Sequence, residues 1–191
     1  GITIPENVDV NVTIQQAPNA GTNNTKTVCQ NDAAFDLFPL LGSGVVTGGV
    51  WSPALNSGTS MYNPAVDAGG TYTYTIMGTG ACQTVSANIV ITNNPIPQLV
   101  TIEPIKLCDD AVDGNDTNGI VNFNLTPKNT EIINGQANIV VTYHVLEADA
   151  KLGQNAITNI NTNSTTIFVR LTNSLTGCYN TTSFQLIVNP K

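Results

Sequence analysis

The chain has 191 residues, of which 10% are charged and 41% hydrophobic, and its formal net charge is −7. Its six Lys and Arg are scattered singly, so there is no basic patch to hold a nucleic-acid backbone or an anionic membrane surface. No apolar run approaches the roughly 18 residues that span a bilayer as a helix, and the regular spacing of apolar residues excludes disorder.

Taken in chain order, residues 8–14 (VDVNVTI) alternate apolar and polar side chains as a half-buried strand does, and residues 15–21 form a turn-rich linker. A chain opening on Gly1 rather than Met is expected to be a segment of something larger. Residues 1–16 therefore read as a lead-in strand or the tail of a preceding module. Pairing with the strands of the next unit is expected, because an orphan strand would leave its edge groups unsatisfied. That first unit is placed at 17–95. It contains Gly48–Pro53, a strand entering a turn, then the alternating strand Thr71–Ile76, the Gly78–Gly80 turn and the strand Ala87–Ile91 ahead of Asn94-Pro95. A second unit, 96–191, offers strands at Ile139–Val145 and Thr166–Leu171. Between them lies a two-turn helix, Glu147–Leu152, ended by Gly153, and the strand Phe184–Val188 closes before Asn189-Pro190.

The two units say nearly the same thing. C-Q-N-D-A-A-F-D-L (Cys29–Leu37) answers to C-D-D-A at Cys108 with N-F-N-L (Asn122–Leu125) after it, and G-A-C-Q-T-V-S (Gly80–Ser86) to G-C-Y-N-T-T-S (Gly177–Ser183). Duplication with many short strands predicts an all-β chain of two tandem antiparallel β-sandwiches. Proline at each junction stiffens the linker. Four cysteines allow three connectivities. Cys29–Cys82 with Cys108–Cys178 is the one that keeps each bridge inside its own unit, giving one disulfide each. Each would close a loop of more than 50 residues, worth roughly 4 kcal/mol in the chain-entropy model. Structural disulfides imply an oxidising compartment outside the cytoplasm. With no C-x-x-C spacing, zinc and redox-dithiol readings fall away.

The strings V-C-Q-N-D-A-A-F-D-L-F, G-G-V-W-S-P, A-G-G-T-Y-T-Y-T-I, L-C-D-D-A-V-D-G-N-D-T-N-G, Y-H-V-L-E-A-D-A and I-F-V-R-L-T-N-S-L-T-G-C-Y resemble the tandem modules of giant flavobacterial surface proteins. These are Ig-like or PKD-like repeats of Bacteroidetes adhesins exported by the type 9 system, including the mobile adhesins of gliding motility. The resemblance covers nearly all of the chain after residue 17. It implies Ig-like sandwiches, a location on the bacterial outer surface and a role in adhesion, and it hands over no catalytic residue.

From cysteine to phenylalanine is six positions in the first unit (Cys29 to Phe35) and fifteen in the second (Cys108 to Phe123). The extra residues crowd Asp109, Asp110, Asp113, Asn115, Asp116 and Asn118 into one loop without Lys or Arg. Such charges repel, and a hard cation with oxygen ligands would relieve them, so Ca2+ is the expected occupant. The spacing Asp113-x-Asn115-x-Thr117 suits alternate ligands. Asn118 and Asn124 replace the glycine and glutamate of an EF-hand. The alternative is a hydrated polar turn. Asp32 and Asp36 offer a weaker equivalent in the first unit.

His144, flanked by Val141, Tyr143 and Val145, reads as a strand residue facing solvent or making one hydrogen bond. Glu147 and Asp149, two apart in a polar segment, do not make a glycosidase pair, and Gly42-Ser43-Gly44 lacks the setting of a phosphate loop. No enzyme is expected. Of Trp51, Tyr62, Tyr72, Tyr74, Tyr143 and Tyr179, the first reads as a core anchor rather than a stacking platform for sugar, and Tyr72 and Tyr74 share one strand face. The sequence thus points to a non-catalytic stalk or spacer and adhesion surface, monomeric as a fragment, whose partners are neighbouring repeats of its own chain and surface polysaccharide. The alternative is a carbohydrate-binding module acting through aromatics or a calcium loop.

Overall fold

A computed structural model describes residues 14–80, 82–112, 114–115 and 117–190. The expected lead-in strand falls almost wholly on residues 1–13, outside the described residues, and Ile14 to Gln16 are in no strand. The chain divides into two compact units, Gly1–Asn93 and Asn94–Lys191. Both are built from β-strands, each with one four-stranded and one two-stranded sheet.

In the first unit β1 (Asn24–Cys29), β6 (Val85–Asn94), β5 (Gly70–Ile76) and β3 (Val50–Ser52) form one sheet in the order β1-β6-β5-β3, while β2 (Phe35–Asp36) pairs with β4 (Met61–Tyr62). The alternation in Thr71–Ile76 sends Tyr72, Tyr74 and Ile76 into the core. Across the antiparallel register Tyr72 faces Ile89 and Tyr74 faces Ala87. Both strands therefore bury the same face. Each fully buried isoleucine contributes roughly 1.5–3 kcal/mol. Leu37 just before a short 3-10 turn (Phe38–Leu41), Leu41 at the end of that turn, and Tyr62 of β4 close the core from the other side.

The second unit repeats the plan. β7 (Ile105–Cys108), β12 (Tyr179–Asn189), β11 (Thr165–Asn173) and β9 (Ile139–His144) lie in the order β7-β12-β11-β9, and β8 (Val121–Asn124) pairs with β10 (Asn159–Thr162). Phe123, Leu125, Ile132, Ile167, Val169, Leu171 and Leu186 are fully enclosed. The expected helix is present as α2 (Glu147–Leu152), with Gly153 at φ 69° supplying the left-handed cap. A second short helix, α1 (Asn129–Ile133), was not expected, and it buries Ile132.

The cysteine pairing differs from expectation. Cys29 and Cys178 are disulfide-bonded, while Cys82 and Cys108 carry free thiols. Neither Cys29–Cys82 nor Cys108–Cys178 forms. The physical reason is visible in the second unit, where β7 runs parallel to β12 and Cys108 lies opposite Asn189 at the far end of that strand. Cys178 precedes the near end, eleven residues away, a distance of roughly 35 Å at ~3.3 Å per residue. A disulfide needs its Cα atoms within about 7 Å. In the first unit the Cys82 thiol sits instead 3.9 Å from the Gln16 carbonyl oxygen.

Candidate functional site

The acidic loop of the second unit is built around Asp109, which is only 3% exposed. Its Oδ2 accepts the Gly119 N–H at 2.7 Å and its Oδ1 the Asp110 N–H at 3.0 Å, while its own N–H donates to the Asn189 carbonyl at 2.9 Å. The carboxylate thus holds the two ends of the loop together, and the backbone N–H of the same residue fastens them to the end of β12. Gly119 makes this possible by adopting φ +71°, which turns its N–H inward.

Further along, Asp110 accepts from the Val112 N–H at 3.0 Å, Asn115 from the N–H and hydroxyl of Thr117 at 3.0 and 2.9 Å, and Asn118 from the Ile120 N–H at 2.9 Å. These are side-chain turns, each reaching two residues ahead. Asp113 and Asp116 lie outside the described residues. Among the described residues no group of three or more His, Cys, Asp or Glu is placed to hold a metal ion. Asp32 and Asp36 do the same local work in the first unit, accepting from the Cys29 N–H at 2.8 Å and the Phe38 N–H at 2.9 Å.

The aromatics divide cleanly. Tyr62, Tyr72, Tyr74 and Tyr143 are buried. Tyr179 lies under the Arg170 guanidinium, 3.4 Å from its ring centre, and that guanidinium also donates to the Ala150 and Lys151 carbonyls at the end of α2. Trp51 is half-buried. It sits directly opposite Tyr74 in the β3–β5 register, with ring centres 5.1 Å apart, and Phe38 meets the same tyrosine edge-on at 5.5 Å. Trp51 therefore anchors to the core through one side and lines an open groove of about 610 Å³ with Asp36, Phe38, Thr47, Thr59 and Ser60. Tyr74 fixes the wall, because its hydroxyl donates to the Val46 carbonyl at 2.9 Å and accepts the Gly49 N–H at 2.8 Å.

Two polar residues prove to be structural. His144 is fully buried, not solvent-facing. Its Nδ1 donates to the Gln154 carbonyl at 2.6 Å and its Nε2 meets the Thr142 hydroxyl at 2.9 Å, so both ring nitrogens are engaged. Asp67, which the sequence did not single out, is 3% exposed and accepts the Asn56 N–H at 2.9 Å, the Asn56 side-chain amide at 2.7 Å and the Asn63 N–H at 2.7 Å. Burial pushes its carboxyl up, but the three hydrogen bonds outweigh that and hold it below the ordinary carboxylate value. The signal available in the sequence was Asn63-Pro-Ala-Val-Asp67, a turn bracketed by residues that bond to backbone.

Residues 104–191 match the family described as the Flavobacterium inter-domain disulphide bond domain. That stretch, somewhat under half of the chain, is the second unit from just before β7 onward. No curated protein matches the chain. Among solved structures it is similar to extracellular domains 3–5 of Drosophila OTK at 13% identity, covering 88% of this chain and 60% of that one, with a TM-score of 0.33. It is also similar to Sidekick-1 immunoglobulin domains 1–5 at 10% identity, covering 88% and 38%, with a TM-score of 0.31. A third likeness is to Protocadherin Gamma B7 cadherin domains 1–4 at 13% identity, covering 92% and 51%, with a TM-score of 0.29. The chain thus spans 60% or less of each of these three chains. No helix among the described residues is long and apolar enough to cross a membrane.

Proposed function

We propose that the chain is a non-catalytic pair of Ig-like modules from a flavobacterial outer-surface adhesin, acting as a stalk and adhesion surface. The observation that carries this reading is that Cys29 and Cys178 are disulfide-bonded. Structural disulfides persist in an oxidising compartment outside the cytoplasm. The match of the second unit to a flavobacterial family agrees with that location, and the resemblance to type 9-exported adhesins extends it to gliding motility. Intact cells treated with a membrane-impermeant amine label test the reading. Labelled chain with Cys29 and Cys178 still oxidised is expected, whereas chain protected from label and recovered with both thiols reduced refutes it.

A second reading, recognition of surface polysaccharide, is favoured by the groove at Trp51. A half-buried indole beside a carboxylate and three hydroxyls suits the apolar face and hydroxyl rim of a sugar ring. Trp51→Ala is expected to abolish retardation of the chain in polysaccharide-containing native gels. Equal migration of wild type and variant through every polysaccharide refutes this second reading alone.

A further inference from the structure

The groove at Trp51 holds a carboxylate for which the first unit supplies no cation. Asp36 lines it together with Phe38 and Trp51. Its Oδ1 accepts the Phe38 N–H at 2.9 Å, while its Oδ2 has no hydrogen-bond or ion-pair partner among the described residues. Lys26 is the one basic side chain in residues 1–93, and its ammonium lies 4.4 Å from the centre of the Phe35 ring. Phe35 and Asp36 are successive residues of β2, so their side chains leave opposite faces. Lys26 is therefore committed to the other face.

We propose that the Trp51 groove takes a positively charged sugar, a hexosamine unit whose amino group is free. Its ammonium sits against Asp36 and its apolar ring face lies on the indole. The inference rests on the polysaccharide reading and names the sugar class.

Three observations converge on it. The first is the ring geometry. Trp51 and Phe38, both half-buried, pack on the enclosed Tyr74 with ring centres 5.1 and 5.5 Å from its own. Fixed aromatic faces attract an ammonium as well as the apolar face of a sugar. The second is the unspent charge. A neutral sugar covering this groove would strip water from Asp36 and return nothing, whereas an ammonium returns a charge-assisted hydrogen bond.

The third observation is the open edge of β3, and it separates a sugar from a peptide. The Asn88 N–H donates to the Asn23 side chain at 2.8 Å, away from β5, so Asn88 and Thr73 are a pair without mutual hydrogen bonds. By alternation Thr73 and Thr75 bond across to Ser52 and Val50, and Trp51, opposite Tyr74, turns its backbone N–H and C=O outward. β3 is the last strand of its sheet, so those two groups lie open beside the indole. One donor and one acceptor suit the hydroxyls of a sugar. They are too few for an added peptide strand, because β3 has three residues and Pro53 follows it.

The test titrates the whole chain by calorimetry with the hexamer of β-1,4-linked glucosamine and with the same hexamer N-acetylated, in mildly acidic buffer that keeps the free amines protonated. Trp51 is the single tryptophan, so its emission reports occupancy of the groove. The charged hexamer is expected to bind about tenfold more tightly than the acetylated one and to shift that emission. Asp36→Asn, whose amide oxygen can still accept the Phe38 N–H, is expected to erase the preference. Equal affinity of wild type for the two hexamers overturns the proposal and leaves the polysaccharide reading standing. A preference that survives Asp36→Asn, or binding without a change in Trp51 emission, also overturns it, since the charged sugar is then drawn to the acidic chain at large. Hexalysine binding as tightly as the charged sugar, with the same emission shift, overturns it in favour of a peptide ammonium. Failure of both hexamers to bind overturns it too, and migration through the other polysaccharides then decides the broader reading separately.

Discussion

Asp67→Ala removes a buried acceptor from three N–H donors and is expected to cost about 3 kcal/mol of stability in urea unfolding; a loss below the measurement error removes Asp67 from the architecture of the first unit. Because its folded carboxyl is held below the ordinary value of 3.8, the stability it adds is present above that value and lost as pH falls through the lowered one. Asp67→Asn is accordingly expected to flatten the acid limb of the stability–pH curve, and an unchanged limb contradicts the assignment. A Cβ at Gly49 would fall 2.5 Å from Tyr74 Cζ and 2.7 Å from the Thr75 carbonyl oxygen, so Gly49→Ala is expected to lower stability by roughly 1–3 kcal/mol and to weaken any binding at the Trp51 groove; a silent substitution shows that the wall yields. For the acidic loop, calcium is proposed to raise a melting transition by several degrees, with Asp113→Ala abolishing the gain. A melt indifferent to calcium and chelator assigns loop closure to the Asp109 hydrogen bonds, and Asp109→Ala then lowers the transition under both conditions.

Much of the fold was legible because one face of each long strand is buried. Thr71–Ile76, Ala87–Ile91, Thr166–Leu171 and Phe184–Val188 alternate in sequence as they do in exposure. The helix at Glu147–Leu152 was legible from its length and its terminal glycine. Edge strands β1 and β7, by contrast, carry Lys26 and Lys106 among short apolar stretches and bury too little to impose a pattern. His144 misled because its strand neighbours are apolar on both sides. Only the return of the chain after α2, which brings the Gln154 carbonyl to its ring, encloses it. Asp67 was invisible for the same reason, since Asn56 and Asn63 become its donors through the path of a loop rather than through a motif.

The sequence by itself determined that the chain is all-β, that it says one thing twice, and that its cysteines fall into two equivalent classes, because composition, alternation and repetition are properties of the string. Which cysteines join was decided by tertiary structure alone. Repetition assigns equivalence but not reach. The parallel pairing of β7 with β12 sets Cys108 and Cys178 at opposite ends of one strand, and a covalent bond a few ångströms long obeys that distance rather than the symmetry of the repeat.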